Sequence, residues 1–291
     1  MKIQKTTFGM YTRAYKLTQG TAEMIVIADR GPRILSLRVA GGGNLLFVDK
    51  EAKMGRGAWR ITGGHRVWMG PEAEGTYAGD NAPCTVAVKR GALIVEAAVD
   101  PKTKLQRVLA ISGAGGAFSV KSIVRNTGDM LASGCVWALT CVRPDAKVLI
   151  PWGRPGEWNV RKICYWETWG GSQTSNVAST QWKPMGDLFV IDPTGEQGKV
   201  GTTGYEGWIG AIFPSENATF VKQFVYQENA TYTDEGCAIE CYTCAKFIEL
   251  ETLAPMTIIH PGEEACHEER WIVRTGLANP ARPALIRKML R

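Results

Sequence analysis

The sequence predicts an all-β protein, a sandwich of two sheets of antiparallel strands with a short C-terminal helix. Three observations carry this prediction. Short runs rich in Val, Ile, Leu and aromatics recur along the chain, each bounded by Gly, Pro, Asn or Asp. Many of them alternate: in residues 118–125 an extended backbone puts Phe118 and Val120 on one face and Ser119 and Lys121 on the other. Helical periodicity is nearly absent outside the C-terminal segment.

In chain order, the expected strands include residues 23–28, 33–39, 44–48, 93–98, 118–125 and 135–142, followed by 188–191, 208–213, 219–226, 246–252 and 267–274. Dense turn signals separate them, such as Gly41-Gly42-Gly43-Asn44, Gly113-Ala114-Gly115-Gly116 and Asn126-Thr127-Gly128-Asp129. None of these Gly clusters sits between a strand and an evident helix, so none reads as a nucleotide loop. Residues 152–184 form a long irregular stretch carrying Trp152, Trp158, Trp166, Trp169 and Trp182, and loops of that length often serve function. The helix is expected from Pro283, a residue suited to a first turn.

The 291 residues suffice for a substantial core, and the chain is expected to form a single domain over 1–291, with its core at about 20–275 and a helical tail at 280–291. Hydrophobic residues make up 45% and charged residues 21%, which excludes a disordered chain. The net charge of +6 comes from scattered Lys and Arg, so nucleic acid is not an expected partner. The basic tail from Arg282 to Arg291 reads as a solvated helix. No stretch approaches the ~18 apolar residues of a membrane span. The first ten residues contain no apolar signal region, so a cytoplasmic location is expected, with the eight cysteines as thiols.

Three clusters hold residues suited to chemistry. Residues 59–72 bring together Gly63, Gly64, His65, Arg66, Trp68 and Glu72. Here the Gly pair would let backbone approach a ligand, Trp68 offers a flat face to a sugar ring, and Arg66 and Glu72 can bind hydroxyls or a carboxylate. In residues 246–253, Glu249 and Glu251 share one face of a strand, ~7 Å apart. Two such carboxylates repel unless partnered, which separates their pKa values for acid or base work. In residues 260–271, His267, Glu269 and Trp271 share a face, with donors a metal would accept but no diagnostic spacing, so no metal or other cofactor is expected. Cys241-Tyr242-Thr243-Cys244 would turn its thiols to opposite sides of a strand, which suits neither chelation nor a redox pair.

The order of motifs resembles the galactose mutarotase-like superfamily, which includes the aldose 1-epimerases. Asp29-Arg30-Gly31-Pro32-Arg33 followed by Gly43-Asn44 is similar to an early hairpin of that family. Gly63-Gly64-His65 through Pro71-Glu72 occupies the place of its first His/Gly segment, within a Gly-Gly-His-x-x-Trp-x-x-Pro-Glu pattern. Asn126-Thr127-Gly128, Glu249-Leu250-Glu251-Thr252 and Pro261-Gly262-Glu263 are similar to its later turns and its catalytic-Glu strand. The resemblance implies a β-supersandwich with a sugar site on the concave sheet. It implies a Glu base, best matched by Glu251 with Glu249 its near rival; His65 or His267 is expected as acid or binder. Arg33, Arg66, Trp68, Glu72 and His267 are the implied substrate-binding residues. The family's mid-chain histidine has no counterpart between His65 and His260. The expected function is epimerase or isomerase chemistry on a sugar or sugar acid. The alternatives are a sugar-binding protein without catalysis, or a glycan lyase or hydrolase on the same fold.

Overall fold

A computed structural model describes residues 1–290 apart from 57, 58, 78, 155, 157 and 159. Among the described residues, eleven strands form one sheet and ten form a second, and every pairing is antiparallel. The first sheet starts with the strands Lys2–Phe8, Tyr11–Gln19, Ala22–Ile27 and Arg33–Val39. It continues through Gly64–Gly70, Ala132–Val142, Ile248–Leu253, Ile239–Thr243, Gly198–Thr202 and Cys164–Tyr165. Ala117–Asn126, Ala218–Phe224 and Glu264–Thr275 lie in the middle of the second sheet. The alternation expected from the sequence is what lets the two sheets share one core: Val67, Val136, Leu250, Phe118, Phe220 and Trp271 are all fully or almost fully buried in it.

Two expectations need correcting. Residues 44–48 do not form a strand; Leu46 and Val48 make single bridges to Val142 and Gly63. The cause is Asn44, whose carboxamide oxygen accepts from the amides of Leu37 (3.0 Å) and Leu46 (3.1 Å) while its nitrogen donates to the Leu35 carbonyl (2.9 Å). A side chain that takes these backbone bonds displaces a ladder. The basic tail is also only partly solvated: Arg282 and Lys288 are exposed, but one face is packed. The helix Pro283–Met289 buries Ile286 against Leu149, Trp208 and Ile272 on the outer face of the second sheet. Its Arg287 pairs with Glu206 at 2.6 Å and with Asp187 at 3.2 Å. Arg291 and residues 155, 157 and 159 of the long irregular stretch lie outside the described residues. No helix among the described residues is long and apolar enough to cross a membrane.

Candidate active site

The strands Gly64–Gly70, Ala132–Val142, Ile248–Leu253, Ile239–Thr243 and Gly198–Thr202 lie side by side in the first sheet. Their register sets the site. Leu139 lies opposite both Arg66 and Glu251, and Glu251 lies opposite Glu240. In the next row, Glu249 lies opposite Tyr242, and Tyr242 opposite Lys199. Paired residues share a face and the side-chain period is two, so all of these point away from the core. A cavity of about 770 Å³ lies over them, walled by Trp59, Trp68, Trp137, Trp169, Tyr77 and Phe247. Its polar lining includes Arg66, Glu72, Lys199, Asp234, Tyr242 and Glu249.

The charged groups are tightly interlocked. Arg66 Nη2 donates to Glu249 Oε1 at 3.0 Å, and its guanidinium lies 3.8 Å from the Trp68 ring centre. Burial pushes the Glu249 carboxyl up from its ordinary value, against the pull of Arg66. Lys199 Nζ lies 2.6 Å from Glu240 Oε2 and 2.7 Å from Glu251 Oε2, beneath the rings of Trp169 and Trp137. Trp137 Nε1 also donates to Glu251 Oε2, at 2.8 Å. Despite burial, the two carboxylates hold the Lys199 ammonium above its ordinary value. Burial pushes the fully buried Glu240 carboxyl well up from its ordinary value, against the pull of Lys199. Glu72 accepts from Tyr77 and from Trp169 Nε1, which ties the irregular stretch to the cavity rim. Arg66 Nε and Glu251 Oε1 have no hydrogen-bond partner among the described residues.

Of the residues expected at the site, Arg66, Trp68, Glu72 and Glu249 line this cavity. Glu251 does not line it: it is fully buried, bonded to Lys199 and Trp137 of the cavity wall. His65 does not face it, which corrects its expected role. One residue from Arg66 on the same strand, it turns inward, with Nδ1 2.9 Å from Thr140 Oγ1 and Nε2 3.3 Å from Ser122 Oγ of the second sheet. His267 is corrected likewise: its Nε2 lies 2.9 Å from Thr252 Oγ1 inside the sandwich. Arg33 is also withdrawn, its Nη2 held 2.6 Å from Asp80 Oδ2, the same oxygen that accepts from Trp68 Nε1. It supports Trp68 from behind. The Gly pair serves chain packing rather than a ligand. At Gly63 a Cβ would meet the Phe47 carbonyl oxygen at 2.2 Å, and at Gly64 the Ile34 carbonyl oxygen at 1.9 Å.

Trp137, Tyr77, Lys199, Asp234, Glu240 and Tyr242 were not singled out from the sequence. The only signal was a lone Lys or Glu inside an apolar strand, as in Gly198–Thr202 and Ile239–Thr243. That pattern identifies a buried charge only when its partner is known.

No family model matches the sequence, and no curated protein matches it. Solved structures do. A galactose mutarotase-like protein from Lactobacillus casei is 11% identical with a TM-score of 0.62, covering 89% of this chain and 99% of its own. A provisionally assigned aldose 1-epimerase from Escherichia coli K12 is 13% identical with a TM-score of 0.58, covering 90% and 99%. A galactose mutarotase-like protein from Clostridium acetobutylicum is 13% identical with a TM-score of 0.57, covering 94% and 98%. The chain therefore has the galactose mutarotase-like fold, an antiparallel β-sandwich with one short C-terminal helix among its described residues. At these identities the likeness concerns the fold.

Proposed function

We propose that the chain is an epimerase or isomerase that acts on a sugar by acid/base chemistry in the cleft over the first sheet. The observation that carries this reading is Glu249, a carboxyl on the cavity wall whose affinity for a proton is raised by burial while Arg66 steadies its anion. A group poised in this way can take a proton and give it back. The aromatic walls suit the apolar faces of a pyranose. The Arg66 and Glu72 side chains on the cavity wall suit its hydroxyls. The structural neighbours include a provisionally assigned aldose 1-epimerase, which favours reaction at the anomeric carbon. Both cations of the cleft are already paired with carboxylates, which favours a neutral sugar over a sugar acid.

Glu249 is the preferred base over Glu251, because it lines the cavity whereas Glu251 is fully buried behind Lys199 and Trp137. The aromatic walls would equally serve a sugar-binding protein without catalysis. Following anomeric interconversion of a panel of aldoses and uronic acids by NMR separates the two readings. Glu249→Gln should lower kcat by ~10²–10⁴-fold while sugar binding persists. Binding without interconversion by the unaltered protein would leave the binding-protein reading in place.

A further inference from the structure

Ring opening needs a proton donor as well as a base, and His65 and His267 both turn away from the cleft. Several lining groups are poor donors. Glu72 is engaged as an acceptor by Tyr77 and Trp169. Lys199 is clamped between two carboxylates that keep its proton in place. Burial pushes the Tyr77 and Tyr242 phenols above their ordinary values, making them weaker acids still.

Asp234 remains. It lines the cavity in the turn Asp234–Gly236, with its half-buried carboxyl close enough to Lys199, Glu240 and Glu251 to feel their charge. The turn holds two consecutive non-glycine residues in left-handed conformation, Asp234 at φ 52° and Glu235 at φ 59°. Such residues gather at functional sites. The amides of Gly236 and Cys237 bond the Thr233 carbonyl at 3.0 and 3.1 Å, which fixes the turn. Glu240 lies opposite Glu251, one row along the sheet from Glu249, a spacing of ~7 Å. Asp234 and Glu249 line the same cavity, so a ring bound there can meet both carboxyl groups.

The geometry points to Asp234 as the proton donor of the cleft, acting with Glu249 as base. This rests on the acid/base reading above. Glu249 takes the proton of the anomeric hydroxyl, and the C1–O bond becomes a carbonyl as the bond from C1 to the ring oxygen breaks. Asp234 delivers its proton to that ring oxygen. After rotation about the C1–C2 bond, Asp234 takes the same proton back and Glu249 returns its own to the carbonyl oxygen. The ring closes on the other face with both groups restored.

The titratable groups facing Asp234 are Lys199, Glu240, Glu251 and Cys135. Burial is the main reason its carboxyl is raised; Glu251 adds to this and Lys199 opposes it. The test is the pH profile of anomeric interconversion for the unaltered protein, Asp234→Asn and Glu249→Gln. Asn tolerates the left-handed conformation, so the turn should form in Asp234→Asn. This variant should lose ~10²–10⁴-fold in kcat with KM nearly unchanged, and should lose the alkaline limb of the profile. Glu249→Gln should lose the acid limb. As a substrate-free measurement, the carbon-13 titration of the carboxyl signal missing from Asp234→Asn should place Asp234 above an ordinary aspartate. Near-normal turnover by Asp234→Asn, a retained alkaline limb, or an ordinary titration would overturn the assignment while leaving Glu249 as base. An unaltered protein that converts no sugar in the panel would instead overturn the enzymatic reading, and the donor role with it.

Discussion

His65 and Arg66 are neighbours in the chain on opposite faces of one strand, and their chemistry divides accordingly. Arg66 meets the cavity, whereas His65 stacks edge-on against Trp271 at 5.0 Å inside the sandwich. Burial holds the imidazole of His65 down to about 3 and that of His267 to about 4. From about pH 6.5 down to these values, the unfolded chain binds protons that the folded one does not. The stability these groups contribute is therefore complete above about pH 6.5 and falls, by on the order of a few kcal/mol, as pH drops through that window. The raised carboxyls Glu249 and Asp234 act with the opposite sign, so the clean measurement is a difference. Urea titrations at pH 7.5 and pH 5 should show a smaller loss of stability on acidification in His65→Gln than in the unaltered protein. Equal losses would mean that His65 is not held neutral by burial. The Gly-Gly-His segment was legible as a special place in the chain, but the side each residue faces was not. A shift of one position reverses that side.

At the scale of the element, the C-terminal helix shows how a local signal can be right about type and silent about role. Pro283 marked its start, and the helix begins there. Its basic residues suggested solvent, yet Ile286 is packed on the second sheet and Arg287 bridges to Glu206 and Asp187. Ile286→Ala should cost about 2–5 kcal/mol of stability, read as a lower urea midpoint with unchanged slope. A lowered slope instead would indicate that the helix separates from the sheet before the rest unfolds. The irregular stretch after Trp152 follows the same pattern. Its tryptophans were visible, but only the tie from Trp169 to Glu72 makes it a wall of the cavity. Asn44 shows the reverse case, in which one side chain cancels a strand that the apolar pattern favours.

Across the whole molecule, the two sheets are joined at the centre by hydrogen bonds made by a buried ion pair of the second sheet as well as by apolar packing. Lys222 of the second sheet is fully buried, 3.0 Å from Glu269 Oε1, and donates to the carbonyls of Ala138 and Leu250 of the first sheet, both at 3.0 Å. Glu269 also accepts from Thr252 Oγ1 at 2.6 Å and from Trp271 Nε1 at 3.0 Å. Lys222→Met should destabilise the protein by about 3–5 kcal/mol, because it strands a buried carboxylate. Adding Glu269→Gln removes that charge and keeps one of the two acceptor oxygens that serve Thr252 and Trp271, so the double variant should be the more stable of the two in chemical denaturation. A double variant less stable than Lys222→Met would show that the carboxylate is held without its ammonium. The bonds to Ala138 and Leu250 lie directly behind Leu139 and Glu251, so sheet pairing and cleft floor share one support.

The residues alone settled that the chain is all-β and antiparallel, and that Glu249 and Glu251 lie on one face. Alternation and turn chemistry are local properties, readable within a few residues. They also brought Arg66, Trp68 and Glu72 into view as candidates. Only the tertiary structure decided that Glu249 meets Arg66 across 183 residues of chain, that Lys199 joins Glu240 to Glu251, and that both site histidines face inward. The physical reason is that the proton affinity and role of a charged side chain depend on burial and on partners brought together by strand register, neither of which is encoded in any short segment.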